Sequence, residues 1–205
     1  MKKYGIRVYG ITGGAGTGKS EVLRILREVF DGCTILSDDV ARDLQKKGRP
    51  CYELMVAHFG EEILGEDGEI DRAVVAKKVF GNDQELALLN GMIHPAVRKE
   101  IERIVEEAAR EGKYRFVALE SAILLDCGYE DLCDEFWYVY TQPQIRRERM
   151  KASRNYSDER VDAVMASQRP DSYFMSRCQF VIENNGSLEE VKEQLKHKLS
   201  GDEDR

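Results

Sequence analysis

A glycine-rich segment near the amino terminus is the feature that most restricts what this chain can fold into. Residues 13–20 read Gly-Gly-Ala-Gly-Thr-Gly-Lys-Ser and complete the pattern G-x-x-x-x-G-K-[ST]. An apolar run from Ile6 to Ile11 precedes the segment, and apolar residues at helical spacing, Val22 to Phe30, follow it. Strand, loop and helix in this order are the context in which the pattern binds phosphate. The sequence therefore predicts a nucleotide-binding α/β protein, and a glycine-rich turn without a ligand is the alternative.

The fixed positions of the loop have predicted roles. Glycines lack a Cβ, so successive backbone N–H groups can turn toward phosphate oxygens. We expect Lys19 to bring a positive charge to the β- and γ-phosphates and Ser20 to offer its hydroxyl to Mg²⁺. The predicted nucleotide-binding residues are Gly13, Gly14, Ala15, Gly16, Thr17, Gly18, Lys19 and Ser20, and Ser20 is the predicted metal ligand.

Composition narrows the class of protein. The net charge of −7 argues against a nucleic-acid partner, because domains that bind phosphate backbones usually carry a basic excess. No apolar stretch is long enough to cross a bilayer, and the first residues do not form an apolar signal core, so we expect a cytoplasmic protein without a membrane partner. The five cysteines lack a C-x-x-C pair, and we expect them to be reduced and mostly buried.

The order of apolar segments predicts the sheet. Further continuous apolar runs at 34–36, 116–119, 136–140 and 180–182 are separated by helical stretches, as in buried parallel strands. The region from Val40 to Lys113 is mostly helical and too long for a plain crossover. Its clearest predicted helix covers Ala96 to Glu111, and Pro95, just before this stretch, sits at a natural first helical position.

Two charged clusters follow predicted strands. Ser37-Asp38-Asp39 comes after the second strand, where a carboxylate could accept the proton of an attacking hydroxyl or hold a water of the Mg²⁺ shell. The alternative is that these residues cap the next helix. Four arginines lie within nine positions after the fourth strand and could stabilise a transferring phosphoryl group, or could form a solvated face paired with Glu148. They are Arg146, Arg147, Arg149 and Arg154.

Several segments form an ordered set along the chain: the loop at 10–20, Asp67–Arg72 followed by Val79-Phe80, Leu89–Pro95, Arg149–Ser157, Gln168 and Val181–Gly186. With this set, nearly the whole chain resembles the dephospho-CoA kinase family. The resemblance implies ATP-dependent phosphorylation of the ribose 3′-hydroxyl of dephospho-CoA, with Mg²⁺ as cofactor. It also implies a P-loop nucleoside/nucleotide-kinase-like α/β fold with a parallel five-stranded sheet flanked by helices. We expect one domain, 1–205, with a helical acceptor-binding insertion at about 40–113 and a lid at about 145–176.

The resemblance further implies roles for single residues. Asp39 matches the base that faces the 3′-hydroxyl, Arg149 and Arg154 match two lid arginines, and Asn184 matches an asparagine near the adenine of ATP. The expected catalytic residues are Lys19, Asp39, Arg149 and Arg154. The expected acceptor-binding residues are Asp39, Arg72, His94 and Asp126.

The sequence departs from the family pattern at two positions of the expected site. Ser37 stands where the family has the first aspartate of Asp-x-Asp, and Asp126 stands where the family has a glutamate. Another small-molecule or nucleotide kinase, and a nucleotide-dependent switch without transfer activity, therefore stay open. The sequence does not indicate an oligomeric state.

Overall fold

A five-stranded parallel sheet confirms the predicted fold class. The computed structural model describes residues 3–121, 124–125 and 128–203. Its strands are β1 (Arg7–Thr12), β2 (Gly32–Leu36), β3 (Phe116–Glu120), β4 (Glu135–Tyr140) and β5 (Phe180–Glu183). The strand order is β2-β3-β1-β4-β5, so the loop that follows β1 leaves the middle of the sheet. All five apolar runs identified in the sequence are strands.

The chain divides into two compact units, Met1–Ile35 with Val105–Arg205, and Leu36–Ile104. The first unit contains the sheet, together with the helices α1 (Lys19–Glu28), α6 (Pro143–Arg154), α7 (Asp158–Ala166), α8 (Asp171–Met175) and α9 (Leu188–Glu203). The second unit contains α2 (Ser37–Leu44), α3 (Pro50–Phe59), a 3₁₀ helix (Glu61–Ile63), α4 (Arg72–Val79) and the start of α5 (Asp83–Glu111). In the described part of the chain, no helix is long and apolar enough to span a membrane.

The core of the first unit explains why its strands are continuous apolar runs. Trp137 on β4 stacks on Tyr9 of β1, with the ring centroids 4.2 Å apart, and Trp137 has no exposed surface. Apolar residues of α1 and α9 cover the same cluster, including Val22, Leu26 and Leu195. Burial of each such side chain contributes about 1.5–3 kcal/mol, so the sheet is stabilised mainly by this contact with helices.

The predicted start of the long helix was wrong. We expected Pro95 at its first position, but α5 begins at Asp83 and holds Pro95 inside its 29 residues. Leu89 and Ile93, one helical turn apart, pack on the core of the second unit, which includes Met55 and Ile63. The helix therefore continues through the proline because this packing outweighs the one backbone hydrogen bond that proline cannot make.

The capping alternative for Ser37-Asp38-Asp39 was also wrong. Helix α2 begins at Ser37 itself, Leu36 occupies the cap position, and no side chain makes a capping hydrogen bond there. Ser37 is buried, whereas Asp38 and Asp39 are exposed. The two aspartates thus lie in the first turn, where negative charge interacts favourably with the helix dipole.

The cysteines agree with the expectation of reduced thiols. All four in the described residues are free: Cys51 and Cys133 are buried, and Cys33 and Cys178 are half-buried. Burial raises the pKa of Cys178 to about 11, so its thiol is unreactive at neutral pH. Cys127 lies outside the described residues.

Candidate active site

The glycine-rich loop connects β1 directly to α1, as predicted. Gly18 is the residue before the helix and has φ +85°, a left-handed conformation that favours glycine. Lys19 and Ser20 form the first turn of α1, and the Ser20 side chain is exposed. The unpaired N–H groups and the positive dipole end of α1 therefore adjoin the loop, which is the arrangement that binds anions.

Lys19 lies over the loop with its ammonium group held by oxygen atoms. Nζ donates hydrogen bonds to the carbonyl oxygens of Gly13, at 2.8 Å, and Gly14, at 3.3 Å. Nζ also lies 3.7 Å from Oε1 of Glu120. Burial lowers the pKa of Lys19, and the Glu120 carboxylate partly offsets this by raising it. The result is a cation partly removed from water, whose Coulomb attraction to a phosphate is correspondingly stronger.

Glu120 is a site residue that the sequence reasoning missed. It is the last residue of β3 and lies in register with Ile11, near the end of β1. Because β1 and β3 are parallel neighbours, their carboxyl ends meet at the same edge of the sheet. The available signal was an acidic residue that directly ends the apolar run 116–119. In P-loop enzymes a carboxylate at the end of a neighbouring strand contributes to Mg²⁺ binding.

Arg146, on α6, donates a hydrogen bond to the backbone of the loop. Its Nε donates to the carbonyl oxygen of Ala15 at 3.0 Å, and Nη2 donates to Oε1 of Gln168. The same Gln168 oxygen accepts a hydrogen bond from the N–H of Ala15 at 3.2 Å. Arg146 was predicted as one member of an arginine cluster, but the residue is only 6% exposed, and its guanidinium is directed into the protein rather than to solvent.

Asn184 and Thr141 hold the other end of the loop. Nδ2 of Asn184 donates to the carbonyl oxygen of Thr17 at 2.8 Å, and Oγ1 of Thr141 donates to the same oxygen at 3.0 Å. Asn184 is 2% exposed, and a Cβ placed on Gly18 would collide with its amide nitrogen. The expectation that Asn184 lies near adenine stays a prediction, whereas its contact with the loop is an observation.

The other arginines of the cluster differ in their surroundings. Nη1 of Arg149 donates to Oγ1 of Thr141 at 3.4 Å, which brings this half-buried side chain beside the loop. Arg154 is exposed, and its charge contributes to lowering the pKa of Lys19. Arg147 is directed to α7, where it pairs with Asp162 and with Asp158, the latter at 3.4 Å. Arg147 therefore fits the solvated-face interpretation, with acidic residues of α7 rather than Glu148 as its partners, whereas the lid role of Arg149 and Arg154 stays a prediction.

A cavity of about 630 Å³ borders the front of the loop. This volume lies in the range of small-molecule sites. Loop residues form one wall of the cavity, and both polar and apolar residues form the others. Its lining consists of Gly13, Gly14, Ala15, Leu125, Ser167, Gln168, Arg169, Pro170, Tyr173 and Phe174.

Three of the predicted acceptor-binding residues belong to the second unit. Asp39 is exposed and forms an ion pair with Arg42 at 2.8 Å. Arg72 opens α4 after the Asp71 side chain caps that helix, and His94 is an exposed residue inside α5. The fourth, Asp126, lies outside the described residues. A His-Pro pair can also mark a turn before a helix, but here His94 and Pro95 are both helical, inside α5.

The first unit thus combines the parts required to hold a polyphosphate. Backbone N–H groups, the Lys19 ammonium, the Ser20 side chain at the start of α1 and the Glu120 carboxylate all lie at the carboxyl edge of a parallel sheet. Such a set binds and orients a nucleoside triphosphate, and arginines nearby can neutralise charge as a phosphoryl group moves.

Comparison with known proteins identifies related sequences and folds. The family model for dephospho-CoA kinase matches residues 7–190. A dephospho-CoA kinase from Carboxydothermus hydrogenoformans is 37% identical over 189 residues, which cover 92% of this chain and 90% of the relative. The crystal structure of TT1252 from Thermus thermophilus is 30% identical with a TM-score of 0.79, covering 96% of this chain and 97% of that one. Dephospho-CoA kinase from Campylobacter jejuni, at 20% identity and a TM-score of 0.63 over 95% and 96% of the two chains, shares the fold.

Proposed function

This chain belongs to the dephospho-CoA kinase family, and from that premise we propose that it transfers the γ-phosphoryl group of ATP to the ribose 3′-hydroxyl of dephospho-CoA. The reaction is the ATP-dependent phosphorylation of dephospho-CoA in coenzyme A biosynthesis. The observation that carries the proposal is the family match over residues 7–190, which includes the loop and the residues that hold it.

The donor half of the proposed mechanism uses the first unit. The backbone N–H groups of the loop surround the phosphates of ATP, and Lys19 exchanges its hydrogen bonds to loop carbonyls for contacts with phosphate oxygens. This exchange is favourable because an ammonium ion bonds more strongly to an anion than to a neutral carbonyl.

Mg²⁺ fits the oxygen ligands at this edge of the sheet. Ser20 presents an exposed hydroxyl in the first turn of α1, and Glu120 presents a carboxylate beside Lys19. No group of three or more potential metal-binding His, Cys, Asp or Glu residues occurs in the part of the chain that the structure describes. Mg²⁺ commonly uses only one or two protein ligands and completes its shell with phosphates and water. When bound, the ion would neutralise charge on the phosphates during transfer.

The acceptor half of the proposal rests on the family resemblance of single residues. Asp39 orients the 3′-hydroxyl and takes its proton, and it would exchange its ion pair with Arg42 for this contact. Arg72, His94 and Asp126 bind the remainder of dephospho-CoA. Arg149 and Arg154 stabilise the charge that develops on the transferring group, as members of the lid. The cytoplasmic location and the absence of nucleic-acid partners stay predictions from the sequence.

A coupled ADP-release assay tests the acceptor. With ATP and Mg²⁺ present, we expect dephospho-CoA to support turnover with a much higher kcat/KM than AMP, CMP or UMP, after subtraction of ADP released without acceptor. Phosphorus NMR of the product should locate the new phosphate on the 3′-oxygen. A nucleoside monophosphate that outcompetes dephospho-CoA would instead indicate another small-molecule kinase, and ATP binding without transfer to any acceptor would indicate a switch.

A further inference from the structure

Two carbonyl groups of the loop are held from outside by side chains. Ala15 O accepts from Nε of Arg146 at 3.0 Å, and Thr17 O accepts from Thr141 and Asn184. Because a trans peptide is planar, its carbonyl and N–H groups point in opposite directions. A donor that holds Ala15 O therefore turns the N–H of Gly16 to the opposite side of the loop, and the donors on Thr17 O do the same for the N–H of Gly18.

Arg146 is itself fixed by its surroundings. Besides the bond from Nε to Ala15, Nη2 donates to Gln168 and Nη1 lies 3.7 Å from Oδ1 of Asp171. Oδ1 of Asp171 also accepts a hydrogen bond from the hydroxyl of Tyr138 at 2.6 Å. Burial, followed by this hydrogen bond, raises the pKa of Tyr138, so that its hydroxyl remains a donor. All three nitrogens of the guanidinium thus have partners, which locks a planar group with a fixed fork of donors.

The glycine at position 14 independently supports a specific contact of the loop with Arg146 and Gln168. It occupies a position at which the loop pattern accepts any residue, and its φ is not among the positive values of this chain. A Cβ on Gly14 would nevertheless collide with Nη2 of Arg146 and Oε1 of Gln168. Glycine at this position leaves room for the two side chains, and Gln168 uses that room to accept from the N–H of Ala15.

We propose that Arg146 and Gln168 are positioning residues that keep the loop in its phosphate-binding conformation. Arg146 holds Ala15 O so that the N–H of Gly16 faces the nucleotide, and Gln168 fixes the preceding peptide. This inference rests on nucleotide binding by the loop, as in the proposed function. It differs from a direct contact with phosphate, because the guanidinium is already occupied and buried. Nucleotide affinity then depends on side chains that do not touch the nucleotide.

The test measures the Kd of Mg²⁺-ADP by calorimetry for the full chain and three variants. We expect Arg146→Met to raise Kd roughly 10- to 100-fold, since a charge-assisted hydrogen bond to the loop is lost. Gln168→Met, which removes no charge, should raise Kd roughly three- to tenfold. The neighbouring Arg147→Met is the matched control, because Arg147 pairs only with acidic residues of α7 among its described contacts, and it should bind ADP as the wild type does.

Two further readouts separate positioning from a role in stability alone. Measurements are made well below the Tm of each variant, where a residue that only stabilises the fold leaves Kd unchanged. The double variant Arg146→Met/Gln168→Met should raise the Kd of ADP by less than the product of the two single increases, because both residues act on adjoining peptides.

The outcomes distinguish this inference from the proposed function. Wild-type protein that fails to bind ADP would contradict the proposed function itself. Wild-type protein that binds ADP, together with a folded Arg146→Met variant whose Kd stays within twofold of the Arg147→Met control, would overturn the positioning role. If Arg146→Met does not fold, Gln168→Met decides, and an unchanged Kd for that variant overturns the proposal.

Discussion

Replacing Gly18 with alanine tests how tightly the loop is packed against Asn184. Gly18 has φ +85°, where a residue with a Cβ loses about 1–2 kcal/mol. The new methyl group would also collide with Nδ2 of Asn184, whose bond to Thr17 O would be broken. A buried donor left without its partner adds about 1–3 kcal/mol. We therefore expect Gly18→Ala to lower the free energy of unfolding by about 2–5 kcal/mol and to weaken ADP binding.

Gly112→Ala is the matched control for the backbone term. Gly112 has φ +65° and belongs to the same unit, but a Cβ there would meet nothing within 4 Å. This variant should lose only about 1–2 kcal/mol and keep its affinity for ADP. Urea unfolding followed by the fluorescence of Trp137, the single tryptophan and fully buried in the sheet, measures both variants. The difference between them isolates the contact between the loop and Asn184.

A result in which the two alanine variants have equal unfolding free energies and equal ADP affinities would refute this reasoning. It would mean that Asn184 moves aside without loss, and that the loop does not depend on the bond to Thr17 O. A large loss of stability in Gly112→Ala would instead indicate that the backbone term alone explains Gly18→Ala.

Three other predictions concern single residues. Lys19→Ala should nearly abolish ADP release without lowering Tm by more than a few degrees. Because burial lowers the pKa of Lys19, its positive charge opposes folding at neutral pH. This free-energy penalty disappears only as pH rises through the lowered pKa toward the ordinary value. Arg149→Ala and Arg154→Ala should lower kcat more than they weaken ATP binding, and variants that lose only ATP affinity would assign these arginines to the ground state. Asp39→Asn should lower kcat roughly 10²- to 10⁴-fold while Ser37→Ala has a mild effect, and equal turnover in folded Asp39→Asn and wild type would remove Asp39 as the base.

Much of the fold followed from the sequence because its signals are local. The strands are continuous apolar runs, and the loop pattern specifies a turn between β1 and α1 that glycine makes possible. The start of α5 could not be predicted in this way. Pro95 suggested a helix start, but the helix continues through it because Leu89 and Ile93 pack on residues distant in sequence. Such packing is invisible to a rule about one residue and its neighbours.

The site was less predictable than the fold. Lys19 and Ser20 belong to a pattern of fixed spacing, so their place at the loop was expected. Glu120 of β3, Arg146 of α6 and Gln168, which follows α7, contact the loop although they lie more than a hundred residues further along the chain. Arg146 and Arg147 also illustrate the limit of composition: they are adjacent, yet one is buried against the loop and the other pairs with α7. They differ because successive residues of a helix project from different faces, and only the orientation of α6 in the fold decides which face meets the loop.

The first unit is built from two stretches of chain, Met1–Ile35 and Val105–Arg205, which the ribosome synthesises at different times. During synthesis β1 emerges early, but its partners Phe116–Glu120 on β3 and Glu135–Tyr140 on β4 follow more than a hundred residues later. The second unit, Leu36–Ile104, is contiguous and can close its own core around Met55, Ile63 and Val75 as soon as it leaves the ribosome. We therefore expect the inserted unit to fold ahead of its host, while the apolar first strand stays unpaired, and open to chaperones and to aggregation, until the rest of the sheet has been synthesised.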